Sequence, residues 1–219
     1  MELLRPPPEL MKQLEQSRLF RSTAGKEGQP VYLAYEEHAH LDLAGEILVK
    51  GMLQDANLKG CRLDGANLAW AIANGLCLEG ASLIGSDFHK GSLVEANLKL
   101  AMGQRAVFRK ADLTSAQVDG ADFRQACFQG VVCISASFHG TDLRGADFTH
   151  SLLKGADFSG ALVAGADFSE AAFSATTRFH PADGIDQIIA RRIHIDDRHF
   201  EGDEARAALH ALGVTRNLP

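Results

Sequence analysis

Between Thr141 and Glu170 the chain reads TDLRG ADFTH SLLKG ADFSG ALVAG ADFSE, six consecutive five-residue units. Each opens on a small residue, carries Leu, Phe or Val at its centre, and closes on Gly in four of the six. The same phase extends back to Leu41 and on to Ala175, giving 135 residues in 27 units without an insertion or deletion. Earlier copies include Ala56-Asn57-Leu58-Lys59-Gly60, Ala66-Asn67-Leu68, Ala96-Asn97-Leu98 and Ala121-Asp122-Phe123. A period of five fits neither the 3.6 of a helix nor the 2.0 of a flat strand. It fits a chain that turns a corner after every fifth residue.

The pattern resembles the pentapeptide-repeat protein family, whose consensus is A(D/N)LXX, over about three fifths of the chain. The resemblance implies an all-β fold, a four-sided parallel β-helix with four units per coil and short helical caps. Parallel crossovers are right-handed in about 98% of cases, so a right-handed coil is expected. The residues support the same picture independently. The central Leu or Phe and the small residue two before it are uncharged throughout, Glu46 excepted, so both point inward. Gly closes 13 of the 27 units, as the third residue of a type II turn favours.

Written in twenties, the centres form four columns. The first side stacks Leu43, Leu63, Leu83, Gly103, Phe123, Leu143 and Val163; the second runs Leu48, Leu68, Phe88, Phe108, Phe128, Phe148 and Phe168. The third holds Leu53, Ala73, Leu93, Leu113, Cys133, Leu153 and Phe173, and the fourth Leu58, Leu78, Leu98, Val118, Phe138 and Phe158. Gly103 and Ala73 are undersized. Each is expected to leave a void unless a neighbour such as Met102 leans in.

Residues 1–40 read as an N-terminal cap, 41–175 as the repeat, and 176–219 as a helical C-terminal cap or tail. Pro8–Leu19 is a helix candidate with Pro at its start. Leu33 and His38 keep the five-residue phase, so the first coil is expected to begin near Gly28. His38 then occupies a central position and reads as a cap for backbone groups. Beyond Thr176, Ile185, Ile188, Ile189 and Ile193 have helical spacing, and a second helix is expected over Glu204–Leu212, stopped by Gly213.

Net charge is −6 with 23% charged residues, which argues against nucleic-acid and anionic-membrane partners. The four cysteines (Cys61, Cys77, Cys127, Cys133) lack disulfide-framework or metal spacing and read as free, buried thiols. With no apolar run of membrane length, the expected location is the cytoplasm. The second-position acids Asp87, Asp112, Asp122, Asp142, Asp147, Asp157 and Asp167 read as turn-capping residues, not catalytic ones. The segment His194-Ile195-Asp196-Asp197-Arg198-His199 is the one cluster with metal-ligand residue types, and it reads as a solvated loop between helices. No phosphate loop, nucleophile elbow or HExxH pattern occurs. No catalytic residue, cofactor, metal or small-molecule substrate is therefore expected.

Two functions compete. One is a non-enzymatic protein-binding or assembly scaffold, its partner another protein or a second copy of itself. The other, drawn from the family resemblance, is DNA mimicry directed at a type II topoisomerase (gyrase). At the fourth and fifth positions ten bases stand against six acids, a poor imitation of phosphate. Large apolar residues at outward positions concentrate on the third side: Met52, Ile72, Val94, Val132, Ile134 and Leu152, with Trp70 at the adjoining corner. This stripe is the candidate protein interface, most simply of a homodimer, unless the Ile185–Ile193 segment folds back over it.

Overall fold

The computed structural model describes residues 3–179, 182–184, 187–196 and 198–212. From Asp42 to Leu152, the second residue of each unit forms a parallel bridge with the residue twenty positions on. One such line runs Tyr32, Met52, Ile72, Ser92, Asp112, Val132, Leu152, Ala172. Four units therefore complete one coil, and successive coils stack in register. The bonds are those of a parallel ladder: Leu48 N–H donates to Asn67 O at 2.7 Å, and Asn67 N–H to Glu46 O at 2.8 Å.

Corners are four-residue turns. The N–H of each following unit donates back to the preceding central carbonyl, as Gly51 does to Leu48 at 2.9 Å. Positive φ falls on the third turn residue, the type II geometry. Of the 27 closing residues only Ala175 lacks it; 13 are glycines and 13 are not, the latter at φ 53–62° from Asp55 to Trp70. A left-handed residue with a side chain costs about 1–2 kcal/mol. The ladder offsets this: the Trp70 N–H donates to His89 O at 2.9 Å, and the Lys90 N–H to Arg109 O at 3.0 Å. Second-position Asp and Asn secure the corners, accepting from the amide two residues on, as Asp87 does from His89 at 2.8 Å and Asp167 from Ser169 at 2.8 Å.

Inside, the phenyl rings stack along the columns. On the second side the centroid spacings from Phe88 to Phe168 are 4.9, 5.1, 4.6 and 5.1 Å, matching the strand spacing of about 4.8 Å. Across the core, Phe148 meets Phe158 edge to face at 5.8 Å and 89°. Hydroxyls at inward small positions bond turn carbonyls, as Ser86 does to Leu83 at 2.7 Å and Thr141 to Val118 at 2.9 Å.

The void expected at Gly103 is not left empty. A Cβ added at Gly103 would fall 2.5 Å from Cδ1 and 2.9 Å from Cζ of Phe123, one coil on. The Phe123 ring fills the space, not Met102, which is exposed. Beside Ala73, Leu76 occupies a position the repeat gives to a small residue. It is fully buried, and its N–H donates to Ala73 O at 3.2 Å.

Regular units begin at Val31, close to the start expected near Gly28, and they are regular where an irregular coil was read. Helix α1 (Pro8–Ser22) seats Leu10, Leu14 and Ser17 on the open end. There it satisfies exposed edge groups: Ser17 Oγ–H donates to Ile47 O at 2.5 Å, and Gln13 Oε1 accepts from Tyr32 N–H at 2.9 Å. Arg18 of α1 pairs with Glu46 at 2.6 Å, which explains the charged residue at an inward position within 41–175. His38 meets the Glu36 carboxylate at 2.6 Å instead of backbone groups.

At the other end the coil outlasts its sequence pattern. Phe179 stacks on Phe158 at 4.8 Å, Asp183 bridges Leu162, and Ile189 bridges Asp167. Strand β1 (Ala171–Phe173) pairs in parallel with β2 (Arg192–Ile195), which pairs antiparallel with β3 (Arg198–Glu201). The segment read as an Ile helix is thus a last coil of extended chain. Ile188 and Ile193 point inward and Ile189 outward, while Ile185 lies outside the described residues. Helix α2 (Gly202–Ala211) buries Ala205 and Leu209 against β2 and β3; Gly213, its expected stop, lies outside the described residues.

Candidate functional site

The third side presents its second-position residues outward in one in-register line. Near the N-terminal end, Met52, Ile72 and Trp70 are 38%, 42% and 48% exposed. Tyr32 stands next to Met52 in the same line at 50%, and Tyr35 lies at the adjoining corner. The remaining stripe residues, Val94, Val132, Ile134 and Leu152, are half-buried, and Ser92 and Asp112 interrupt the line. The seven residues therefore form an exposed N-terminal cluster and a flatter C-terminal one. Tyr32 was legible through its neighbour Leu33, which keeps the phase, but residues before Leu41 read as cap.

Trp70 closes its unit at φ 62°, which sets the indole out at the corner. The Lys90 ammonium sits 4.2 Å from the indole ring centroid, and the His89 ring meets it edge-on at 6.2 Å. Cation–π contact of this kind holds a large aromatic in place at an exposed site. Charge divides across the third side. Its border with the second side carries Lys50, Lys90, Arg109 and Lys110, whereas its border with the fourth carries Asp55 and Glu95 and, near the C-terminal end, Lys154, all exposed. Among the described residues none of these seven is in an ion pair. On other sides several charges are paired within the chain: Lys59 with Glu79 at 2.7 Å, Arg124 with Asp122 at 2.7 Å, and Arg144 with Asp142 at 2.6 Å, whereas Arg105 is exposed with no ion pair among the described residues. Burial would raise the Asp122 carboxyl, but hydrogen bonds from Arg124 and Gln104 outweigh it and hold the group below its ordinary range.

The alternative, that the Ile185–Ile193 segment folds back over the stripe, is not seen among the described residues. The Ile188–Ile193 stretch pairs with the preceding coil, and α2 packs on β2 and β3, leaving Met52, Trp70 and Ile72 exposed.

His194 and His199 do come together, as cross-strand partners of the β2–β3 hairpin and not in an interhelical loop. Their Nδ1 atoms are 2.6 Å apart, so one donates and the other accepts, and His194 Nε2 lies 3.5 Å from Glu170 Oε2. Asp197 lies outside the described residues. Among the described residues no group of three or more His, Cys, Asp or Glu could hold a metal ion, and no helix is long and apolar enough to cross a membrane. All four cysteines are free. Cys61 and Cys133 are buried, while Cys77 and Cys127, at outward positions, are only half-buried. Burial pushes the Cys61 thiol up to about 11 and that of Cys133 well above its ordinary value.

Comparison with curated proteins gave no match. Among solved structures, one similar chain is QnrB1, a plasmid-mediated fluoroquinolone resistance protein, at 19% identity and TM-score 0.43. That alignment covers 77% of this chain and 84% of QnrB1. A second is HetL, a pentapeptide repeat protein involved in heterocyst differentiation regulation from the cyanobacterium Nostoc sp. strain PCC 7120. It gives 23% identity and TM-score 0.33, covering 82% and 96% of the two chains. A third, from the Arabidopsis thaliana thylakoid lumen, is 32% identical with TM-score 0.36, over 46% of this chain and 66% of that one. The family profile for pentapeptide repeats matches eight copies, over residues 53–89, 81–117, 92–130, 116–155, 132–170 and 151–177. With more than half its length matched and its twenty-residue coils in register, this chain belongs to the pentapeptide-repeat family.

Proposed function

We propose that the chain is a right-handed, four-sided parallel β-helix that acts in the cytoplasm as a non-enzymatic protein-binding scaffold. Its docking surface is the third side, centred on Met52, Trp70 and Ile72 and extended toward Val94, Val132, Ile134 and Leu152. The observation that carries this reading is the exposed cluster Tyr32, Met52, Trp70 and Ile72 on one side of the stack. A contiguous apolar patch with a fixed aromatic is the usual anchor of a protein interface. Four unpaired thiols fit a reducing compartment. DNA mimicry fits less well, because the second-position carboxylates are spent on turn amides and arginines and are not a free array of charge.

The test is retention of proteins from extracts of the source cells on immobilised chain. Wild type is compared with Trp70→Ala plus Ile72→Asp and with Leu100→Asp, a control at an exposed apolar residue on another corner. The expected result is a partner held by wild type and by the control but lost with the double variant. Equal retention by all three overturns the assignment of the surface.

A further inference from the structure

The unpaired charges beside the third side form a self-complementary pattern. Lys50, Trp70, Lys90 and Lys110 close successive units along one border, and Asp55, Gly75, Glu95 and Ser115 close the units that follow on the other. Lys50 and Asp55 belong to one coil, and Lys90 and Glu95 to another, two coils on. Between those coils the Asp55 carboxyl group lies over Gly75, where an added Cβ would fall 3.1 Å from its Cγ. The border that carries the protruding Trp70 thus faces, across the apolar line, a border left low by a glycine.

Resting on the docking reading above, we infer that the third side binds a second copy of this chain, in a two-fold dimer whose stacks run parallel. A two-fold axis along the stack exchanges the borders and keeps each coil at its own level. Lys50 of one copy then faces Asp55 of the other, and Lys90 faces Glu95, each pair being made twice. Trp70 and its Lys90 partner come opposite Gly75 and the Asp55 carboxyl group. An antiparallel dimer leaves each border facing itself. Centred on Ile72, it sets Lys50 against Lys90 and Asp55 against Glu95. Like charges facing across an interface select against that arrangement. Asp112 would meet its own copy near the axis and marks the C-terminal limit of close contact. Its carboxylate is turned onto Thr114, accepting from the amide at 2.9 Å and the hydroxyl at 2.6 Å. The same chain carries both halves of the pattern, which singles out a second copy over an unrelated acidic or basic partner.

Sedimentation of the purified full chain over a range of concentrations tests this. The variants are Lys50→Glu plus Lys90→Glu, Asp55→Lys plus Glu95→Lys, and all four together. These positions tolerate exchange, since Lys, Asp and Glu all occur at them with φ between 53 and 60°. A cooperative melt and a wild-type circular dichroism spectrum confirm folding. The expected result is a wild-type dimer, weakened about tenfold or more in either double variant and restored in the quadruple variant. Ile72→Asp is expected to abolish it. A quadruple variant that stays as weak as the doubles overturns the parallel arrangement. A dimer that survives Ile72→Asp, or a wild type that is monomeric throughout, overturns the inference as a whole. In the monomeric case, retention of another protein that depends on Trp70 and Ile72 would leave the docking reading standing, and its absence would remove both.

Discussion

Replacing Gly103 tests the packing of the core directly. Its φ is not in the left-handed region, so a side chain there meets no backbone strain and the cost is packing alone. A Cβ at this position lands 2.5–2.9 Å from two ring carbons of Phe123 and closer still to Cε1. The ring cannot swing clear, because Phe108 and Phe128 hold it edge to face at 5.4 and 5.7 Å. Overpacking of this kind costs about 1–3 kcal/mol, so Gly103→Ala is expected to lose that much and Gly103→Leu more. Phe123→Leu removes the obstructing ring and by itself leaves a cavity. Gly103→Leu with Phe123→Leu restores the leucine column found at Leu63 and Leu83, so the double variant is expected to be more stable than the sum of the singles. The coupling should reach about 1–3 kcal/mol. Guanidinium unfolding followed by circular dichroism, with the four proteins compared as a cycle, measures it. A Gly103→Ala protein within about 0.5 kcal/mol of wild type, or a cycle with no coupling, would refute the claim that Phe123 occupies the space.

Two further outcomes are expected. Ala126 and Ala146 are buried beside the stacked rings of the second side, so Ala126→Leu or Ala146→Leu should each lower stability by about 1–3 kcal/mol; unchanged denaturation midpoints in both would mean that these alanines do not face the core. In the native protein at pH 8 an aromatic disulfide reagent should titrate Cys77 and Cys127 first and reach Cys61 and Cys133 only on unfolding. At a pKa of about 11 roughly one Cys61 thiol in a thousand is ionised at that pH. Four thiols reacting together in the folded chain would show that the coils open.

Much of this architecture is written locally and can be read without a structure. Which residues face inward depends on position within a five-residue unit, so Leu, Phe and Ala report it wherever they occur. Second-position Asp and Asn reach an amide two residues away, again within one unit. The candidate surface is local in the same sense, since outward positions follow from inward ones. Met52, Trp70 and Ile72 are exposed where the repeat sets them.

What only the tertiary structure decided concerns residues one coil apart or beyond the repeat. Gly103 and Phe123 are twenty positions apart, and whether the glycine leaves a hole depends on where that ring turns. The Ile-rich stretch after Thr176 has spacing compatible with a helix. Parallel pairing with the open edge of the preceding coil made it extended chain, with Ile188 inward, Ile189 outward and Ile193 inward. That edge left unpaired would expose a row of amides and carbonyls, a cost no local propensity registers. The same pairing formed the hairpin that joins His194 to His199. Likewise, the stacking of Val31–Tyr35 on the next coil put Tyr32 beside Met52 and so enlarged the candidate surface. Local chemistry sets the direction of each side chain; which neighbour it meets is set by the winding of the chain.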